Sequence, residues 1–446
     1  MNFYNPTQKK SLFKQKSFSI SIRSPRFLLS CFTSTFITLL IIFQIQTLKT
    51  SFSLNSSYQH ISFLPLKDLR FADKPMDGHT WFMSSMNDTR EDGGPEHVYF
   101  PSEASDGQLL CLSGRSISNG TKNFYGFISP VSLTSDIDLL NGLTFISDTY
   151  YDYDNLWHGM SAMIPFISWH QSKSCMLPNR WLLYRRGELR KRISPWLKEL
   201  LIAIFQPKSL VIEEFNGRKT TSCLEKAVVF RRNQGSMSKE KKEQVYDLIR
   251  CKARAYCGIK KDDIDEEKVI VRLTLLLRLG KRSFKDDNAV ISIFEKACLK
   301  VEDCRLRVAR PNNLTFCDQV KLMSETDVLA TPHGAQLTNM IFMDKNSSVM
   351  EFFPKGWKEL AGVGQYVFRW IAESSGINHT GQWNDPNGER CPESNPSRCF
   401  PFYKDKQIGY NESFFSAWTA SVLNEMKEQK LAKNQAKITP SYACAC

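Results

Sequence analysis

The sequence predicts an α/β protein made of two doubly wound halves, preceded by one apolar segment long enough to cross a membrane. Three observations predict it. Short apolar runs alternate with helical stretches, the alternation breaks at a charged segment (residues 260–268) and then restarts, and 446 residues are too many for one hydrophobic core. Two parallel, helix-covered sheets would hold a ligand in the cleft between them, outside the carboxyl ends of the strands.

The elements follow in order. Residues 1–26 form a basic tail with Lys9, Lys10, Lys14, Lys16, Arg23 and Arg26 and no acidic residue. Residues 27–48 are apolar, and about 20 such residues cross a bilayer core once as a helix. The positive flank stays cytosolic, which makes the chain a single-pass type II protein with a retained signal anchor and a lumenal bulk. A cleaved signal peptide is the alternative, but the basic region is long and no small-x-small cleavage site follows.

Residues 49–75 are polar and irregular and read as a stem. Residues 76–265 form the first Rossmann-like half, in which the apolar runs at 143–146, 181–184 and 227–230 alternate with helical stretches at 157–172, 195–205 and 239–254. Residues 266–375 form the second, with strands at 269–277, 328–330 and 348–352 and helical signals at 287–299 and 315–325. Residues 376–446 form an extension whose helix, near 412–430, is expected to pack back across the halves.

Composition bears on topology and partners. Seven N-x-Ser/Thr sequons, at Asn55, Asn87, Asn119, Asn313, Asn346, Asn378 and Asn411, all lie beyond the apolar segment. Of 13 cysteines, Cys31 lies inside that segment and 12 on the side that would be oxidising, so several disulfides are expected. Cys391 and Cys399 bracket a Pro/Ser/Asn-rich loop as a local staple. Zinc is the rival reading, but no C-x-x-C pair or H-E-x-x-H helix is present. The net charge of +13 shrinks once the tail's six basic residues are set aside, leaving 53 Lys and Arg against 46 Asp and Glu. That balance favours anionic sugars over nucleic acid.

The most informative stretch is Thr331-Pro332-His333-Gly334-Ala335-Gln336-Leu337-Thr338-Asn339, which follows the apolar run Val328-Leu329-Ala330. A strand entering a Pro/His/Gly turn and then a helix opened by small residues presents free backbone N–H groups to a phosphate. Neither the three-glycine dinucleotide pattern nor a Walker loop is present. By residue chemistry alone, a nucleotide or nucleotide-sugar site competes here with a plain strand-to-helix connection.

The string HGAQLTNMIFM with the downstream Val349-Met350-Glu351-Phe352-Phe353-Pro354 resembles the signature of family 61 glycosyltransferases, written HGAGLTN-x-x-F with a following hydrophobic-Glu-x-x-Pro. Further resemblances stand at residues 316–320, at Leu276-Leu277-Arg278 with Lys281-Arg282, and at Asp154-Asn155-Leu156-Trp157-His158. The last is similar to the Asp-Asn-Leu-x-His segment of the family's protein O-mannose N-acetylglucosaminyltransferases. Gln336 departs from the pattern where many members have a second glycine, although plant-type members tolerate glutamine there. The resemblance implies the GT-B arrangement, with two Rossmann-like domains facing a cleft, the first on the acceptor side and the second binding the nucleotide sugar. It also implies a UDP-sugar donor with no obligatory metal or other cofactor, and a glycan or polysaccharide acceptor.

Inverting transfer needs a base, positive charge or N–H groups for the leaving diphosphate, and a nucleoside pocket. Arg278 and Arg282 flank the end of the first strand of the second half, where planar forks suit phosphate oxygens, with Lys281 as a point charge; the bland alternative is three solvated turn residues. His333, Gly334 and Ala335 belong to the turn, and His333 either contacts phosphate or sugar or caps its own backbone. Thr338 and Asn339 either reach a ribose or phosphate or serve as polar caps. Glu351 either accepts from ribose hydroxyls or makes a salt bridge.

For the base, Asp154 and His158 are four apart, so on an opening helical turn they would share a face and form a carboxylate–imidazole pair. The alternative is an Asp N-cap beside a partly buried His. Trp157 and the neighbouring tyrosines either stack on a sugar or fill the core. Asp152-Tyr153-Asp154 also has the D-x-D form of manganese-dependent transferases, as does Asp136-Ile137-Asp138, so metal dependence ranks second. The expectation is therefore an inverting transferase of the Golgi or endoplasmic reticulum membrane. The resemblance to family 61 implies xylose, arabinose or N-acetylglucosamine as the donated sugar, and xylan and glycoprotein glycans are both open as acceptors. A non-catalytic glycan-binding scaffold with a retained fold is the alternative outside enzymes.

Overall fold

The computed structural model describes residues 86–206, 210–230, 237–259 and 269–435, Cys444, Cys446, and short pieces before residue 86. Contacts divide the chain into Met1–Ser62 and Phe63–Cys446, and both large sheets with their helices belong to the second unit. The expected anchor, the stem and the charged segment 260–268 lie almost entirely outside the described residues, among which no helix is long and apolar enough to cross a membrane.

Nine strands build the first sheet: β1 (Leu64–Pro65), β2 (His97–Phe100), β3 (Leu109–Ser113), β4 (Phe124–Ile128), β5 (Asp138–Thr149), β6 (Arg180–Arg185), β7 (Glu188–Arg190), β8 (Val211–Ile212) and β9 (Thr221–Phe230). Their order is β1-β4-β3-β9-β5-β6-β8, with β2 beside β9 and β7 beside β6. β9, β5, β6 and β8 run parallel, as the alternation with helices predicts. β1 to β4 and β7 pair antiparallel, which corrects the expectation of a wholly parallel sheet. Short links force this only between β3 and β4 and between β6 and β7, because a parallel return needs a crossover of about a dozen residues or more; β1, β2 and β3 pair antiparallel with strands far along the chain. Between β6 and β7 the link is Arg186-Gly187, both at positive φ, a hairpin turn that matches strand twist.

Helices α1 (Leu156–Ser172), α2 (Pro195–Phe205) and α3 (Lys239–Tyr256) cover this sheet. Each starts at a side-chain cap, respectively Asn155, Ser194 and Ser238, whose oxygen accepts from first-turn amides. Asn155 therefore takes the capping position for which Asp154 was a candidate.

The second sheet has five parallel strands: β10 (Val271–Leu276), β11 (Cys304–Ala309), β12 (Val328–Pro332), β13 (Ser348–Phe353) and β14 (Asn378–Asn384), in the order β11-β10-β12-β13-β14. Its connections carry α4 (Asp287–Leu299), α5 (Phe316–Ser324), a 3₁₀ helix (Ala335–Phe342), α6 (Trp357–Leu360) and α7 (Val367–Ser375), and α8 (Pro396–Asp405) and α9 (Glu412–Gln435) follow. Alternation along the strands fills both faces: Leu273, Leu275, Val328 and Ala330 pack with Phe294 of α4 and Phe415 and Leu423 of α9. On the other face Leu276, Leu329 and Val349 enter a core shared with α1, α2 and α3.

The chain's last helix, α9, stays on α4 and the second sheet. The return to the first half is made instead by the terminal cysteines, through Cys251–Cys444 and Cys175–Cys446. Cys257–Cys317 ties the end of α3 to α5, and the Cys391–Cys399 staple is present. With Cys111–Cys223 and Cys298–Cys304, all 12 cysteines after Cys31 are paired. The grouping of His170 with Cys175 and Cys446 has metal-ligand spacing, but both of its thiols are consumed in a disulfide.

Candidate active site

The strand order of the second sheet reverses beside β10: the chain goes from β10 to β11 on one side and then to β12 on the other. A crevice opens at such a switch point, outside the carboxyl ends of the strands. Thr331 holds its two walls together by donating its hydroxyl to the Leu276 carbonyl at 2.7 Å. Beyond these strand ends the chain places Arg278 and Arg282 on one wall and His333-Gly334 on the other.

Arg278 donates from Nη1 to the His333 carbonyl at 2.9 Å, so the first wall is bonded to the turn of the second. Glycine at 334 lets Arg278 take this position: a Cβ there would lie 2.1 Å from Nη1 of Arg278 and displace it. Gln336, the departure from the family pattern, has no positive φ and folds its amide back onto the Pro332 carbonyl at 2.6 Å, so the turn forms without a second glycine. The first i→i−3 bond of the 3₁₀ helix runs from the Leu337 amide to the Gly334 carbonyl, leaving the Ala335 and Gln336 amides ahead of the ladder.

Arg278 and Arg282 are half-buried, and the Nε of each is buried without a hydrogen-bond partner among the described residues. Burial and the neighbouring Arg278 push the Arg282 guanidinium down to about 10, and burial lowers Arg278 as well. These two desolvated cations repel each other and keep orphaned donors, which is charge and N–H capacity that an anion would satisfy. Lys281 takes no part in it, being exposed and paired with Asp405 at 2.8 Å.

Beneath the turn, His333 is 5% exposed, stacked on Phe353 at a centroid distance of 4.7 Å, tilted against Trp357 at 4.2 Å and edge-on to Phe368 at 5.1 Å. Its Nδ1 lies 2.5 Å from Oε1 of Glu351, whose Oε2 meets Nε2 of His379 at 2.9 Å and accepts from Gln382 at 3.3 Å. Burial alone would raise the Glu351 carboxyl, but His333 and His379 outweigh it and hold it at about 2. Burial pushes His333 down against the pull of Glu351. Glu351 is 0% exposed with both oxygens engaged, so its partner is His333 and not the ribose hydroxyl expected from its place at a strand end.

Asn339 is likewise committed inside the protein: Oδ1 accepts from Trp196 Nε1 at 3.0 Å, and Nδ2 donates to Gln319 at 3.0 Å and to the Gln336 carbonyl at 3.1 Å. Thr338 is fully buried, and its hydroxyl has no partner among the described residues.

In the first half, His158 lies in the opening turn of α1 with the Tyr151 ring stacked on it at 4.0 Å. Burial, and then the charge of Lys404 on α8, lower it to about 4. Asp154 is exposed, and among the described residues no hydrogen bond or ion pair joins it to His158, so the expected carboxylate–imidazole pair is not formed. Tyr153 and Trp157 belong to the core, Tyr153 through its hydroxyl bond to the Tyr184 carbonyl at 2.8 Å. Asp152 faces Arg185 at 3.5 Å and Arg190 at 3.6 Å, which occupies the first carboxylate of the D-x-D with guanidinium partners. In the other D-x-D, Asp138 pairs with Arg218 at 3.3 Å.

A cavity of about 720 Å³ lies elsewhere, at the far end of α1, lined by Asp88, Glu91, His97, Trp169 and Lys241 among others. By helical rise, Trp169 is roughly 17 Å along the axis from His158. The crevice at the switch point, not this cavity, concentrates buried charge. His379, Gln382 and Trp196 are the members that the sequence does not signal. His379 and Gln382 stand 28 and 31 positions from Glu351, on a strand whose one motif, the sequon at Asn378, does not point to this site.

Residues 156–350 match the family model described as Glycosyltransferase 61, a span that holds His158, both arginines and the His333 turn. No curated protein matches the chain. Among solved structures, an oxidoreductase from Corynebacterium diphtheriae is 13% identical, covering 35% of this chain and 99% of its own, at a TM-score of 0.23, a likeness that carries no argument.

Proposed function

We propose, from the premise that the chain belongs to glycosyltransferase family 61, that it moves a monosaccharide from a UDP-sugar to a glycan hydroxyl with inversion, across two Rossmann-like halves in a GT-B arrangement. The observation that carries this reading is the pair of buried, partner-lacking Nε groups of Arg278 and Arg282 beside the His333-Gly334 turn. A diphosphate supplies the charge and acceptors that such a crevice lacks, and the amides opening the 3₁₀ helix add donors where leaving-group charge develops.

His158 is the proposed base. Its lowered pKa keeps it neutral at physiological pH, so it can accept a proton from an acceptor hydroxyl. Asp154, exposed one turn earlier, is the reserve candidate. Tyr151, stacked on His158 and 37% exposed, offers a face to a sugar ring. No obligatory metal is proposed, because Asp152 is already charge-paired and the arginines supply the positive charge that manganese would bring.

Six disulfides and the expected apolar anchor support a lumenal, type II location in the Golgi or endoplasmic reticulum membrane. Xylose, arabinose or N-acetylglucosamine is the proposed donated sugar, with xylan or a glycoprotein glycan as acceptor. Turnover of a UDP-sugar panel with and without EDTA tests the reading. Selective turnover of one donor that survives EDTA is expected. Turnover abolished by EDTA would move the chemistry to the D-x-D carboxylates, and binding of no donor would leave a non-catalytic glycan-binding scaffold.

A further inference from the structure

Glu351 is a fully buried carboxylate that touches no exposed surface, yet three side chains converge on it: His333, His379 and Gln382. Accepting from Gln382 and lying between two imidazoles, it acts as the acceptor for both histidines, which fixes His333 with its proton on Nδ1 and leaves Nε2 as the basic nitrogen. His333 follows the strand end that forms one wall of the crevice, and 6% of its side chain is left to solvent.

The groups around His333 can be named element by element. The segment after β10 contributes Arg278 and Arg282, β13 contributes Glu351, and β14 contributes His379 one step behind it. α6 and α7 contribute only the rings of Trp357 and Phe368. From α8, Asp405 attracts Arg282 and pairs with Lys281. Burial holds the imidazole neutral first, and the charges of Arg282 and Arg278 add to it, against the Glu351 carboxylate that favours its charged form.

We propose that diphosphate binding between Arg278 and Arg282 is coupled to uptake of one proton by Nε2 of His333, and that His379 is the positioning residue that holds Glu351 for this step. An anion in the crevice cancels the field of the arginines and brings an acceptor to the same wall while Glu351 stays ionised, and both changes favour the imidazolium against the burial that opposes it. The proton comes from solvent, no bond to carbon forms or breaks, and the charged His333 adds a donor for the diphosphate that departs. This rests on the proposed UDP-sugar reading and adds a proton to it.

The experiment is calorimetric titration of the full, disulfide-bonded chain in detergent with UDP-xylose and UDP-N-acetylglucosamine. It is run at neutral pH in buffers of different ionisation enthalpy. These donors carry a diphosphate diester with no group titrating near neutrality, so buffer dependence reports protein protons. Uptake approaching one proton per bound donor is expected. It should vanish in His333→Gln, whose donor binding is weakened by loss of that N–H but still measured in the same titration, fall in His379→Ala, and return in His379→Gln, which keeps an N–H toward Glu351. Donor binding with no buffer dependence, or uptake unchanged in His333→Gln, overturns the coupling and leaves the donor site standing. Failure of both donors to bind overturns the donor site as well.

Discussion

Trp196 of α2 donates its indole N–H to Oδ1 of Asn339 across 3.0 Å, joining the helical layer of the first sheet to the helix that the His333 turn opens. The same Asn339 reaches Gln319 of α5, so one amide fixes three elements behind the crevice. Trp196→Phe keeps an aromatic ring and removes the donor. It should cost about 1–3 kcal/mol in chemical denaturation, because a buried acceptor loses its partner. It should also weaken UDP binding by loosening the turn. Wild-type stability together with wild-type affinity would show that the bond does not hold the site.

Gly334→Ala places a methyl group 2.1 Å from the Arg278 guanidinium and 2.5 Å from Oε1 of Gln336, and one of them must move. Displacing Arg278 should lower UDP affinity by about tenfold, equivalent to ~1.4 kcal/mol, with little loss of thermal stability, since both neighbours are side-chain termini. An unchanged dissociation constant would mean that Arg278 does not set the anion site.

Arg278→Ala and His158→Ala should separate binding from chemistry. The first removes a charged donor and is expected to weaken UDP binding strongly, whereas the second should spare binding and abolish transfer. Parallel equilibrium titration and turnover assays check both, and near-normal turnover in His158→Ala would pass the role of base to Asp154.

The pH profile follows from the same histidine. With His158 at about 4, its neutral form dominates down to mildly acid pH, so the acid limb of kcat should fall only as pH approaches 4, not near the ordinary histidine value of 6.5. For stability the sign is opposite to that of a salt-bridged histidine. The unfolded chain binds this proton first, so folding free energy is lost as pH falls from 6.5 toward 4. An acid limb centred near 6.5 would show that His158 is not the group being read.

Cys251–Cys444 spans 193 positions and Cys391–Cys399 spans 8, so loop entropy ranks them differently. Opening the long one with Cys444→Ser should cost about 3 kcal/mol more than opening the short one, read as the difference in unfolding free energy. An equal cost would place the stabilisation in local packing of the tail.

The local sequence by itself determined the parallel second sheet, because Val328, Leu329 and Ala330 are all apolar and serve both faces of a covered strand. It also determined the turn at His333-Gly334, where strand, small residues and helix follow each other within a few positions. Arg278 and Arg282 were legible for the same reason, lying next to a strand end. Only the tertiary structure decided what these groups touch. Glu351 reads as a strand-end carboxylate, yet burial and His379, 28 positions away, turn it toward His333. Asp154 and His158 have helical spacing, but Asn155 takes the cap and the Tyr151 ring takes the imidazole face. The mixed first sheet was hidden likewise, since β2 and β3 pair antiparallel with β9, a strand more than 100 positions further along the chain. Periodicity records which residues avoid water; which partner a buried polar group finds depends on contacts between segments far apart in the chain.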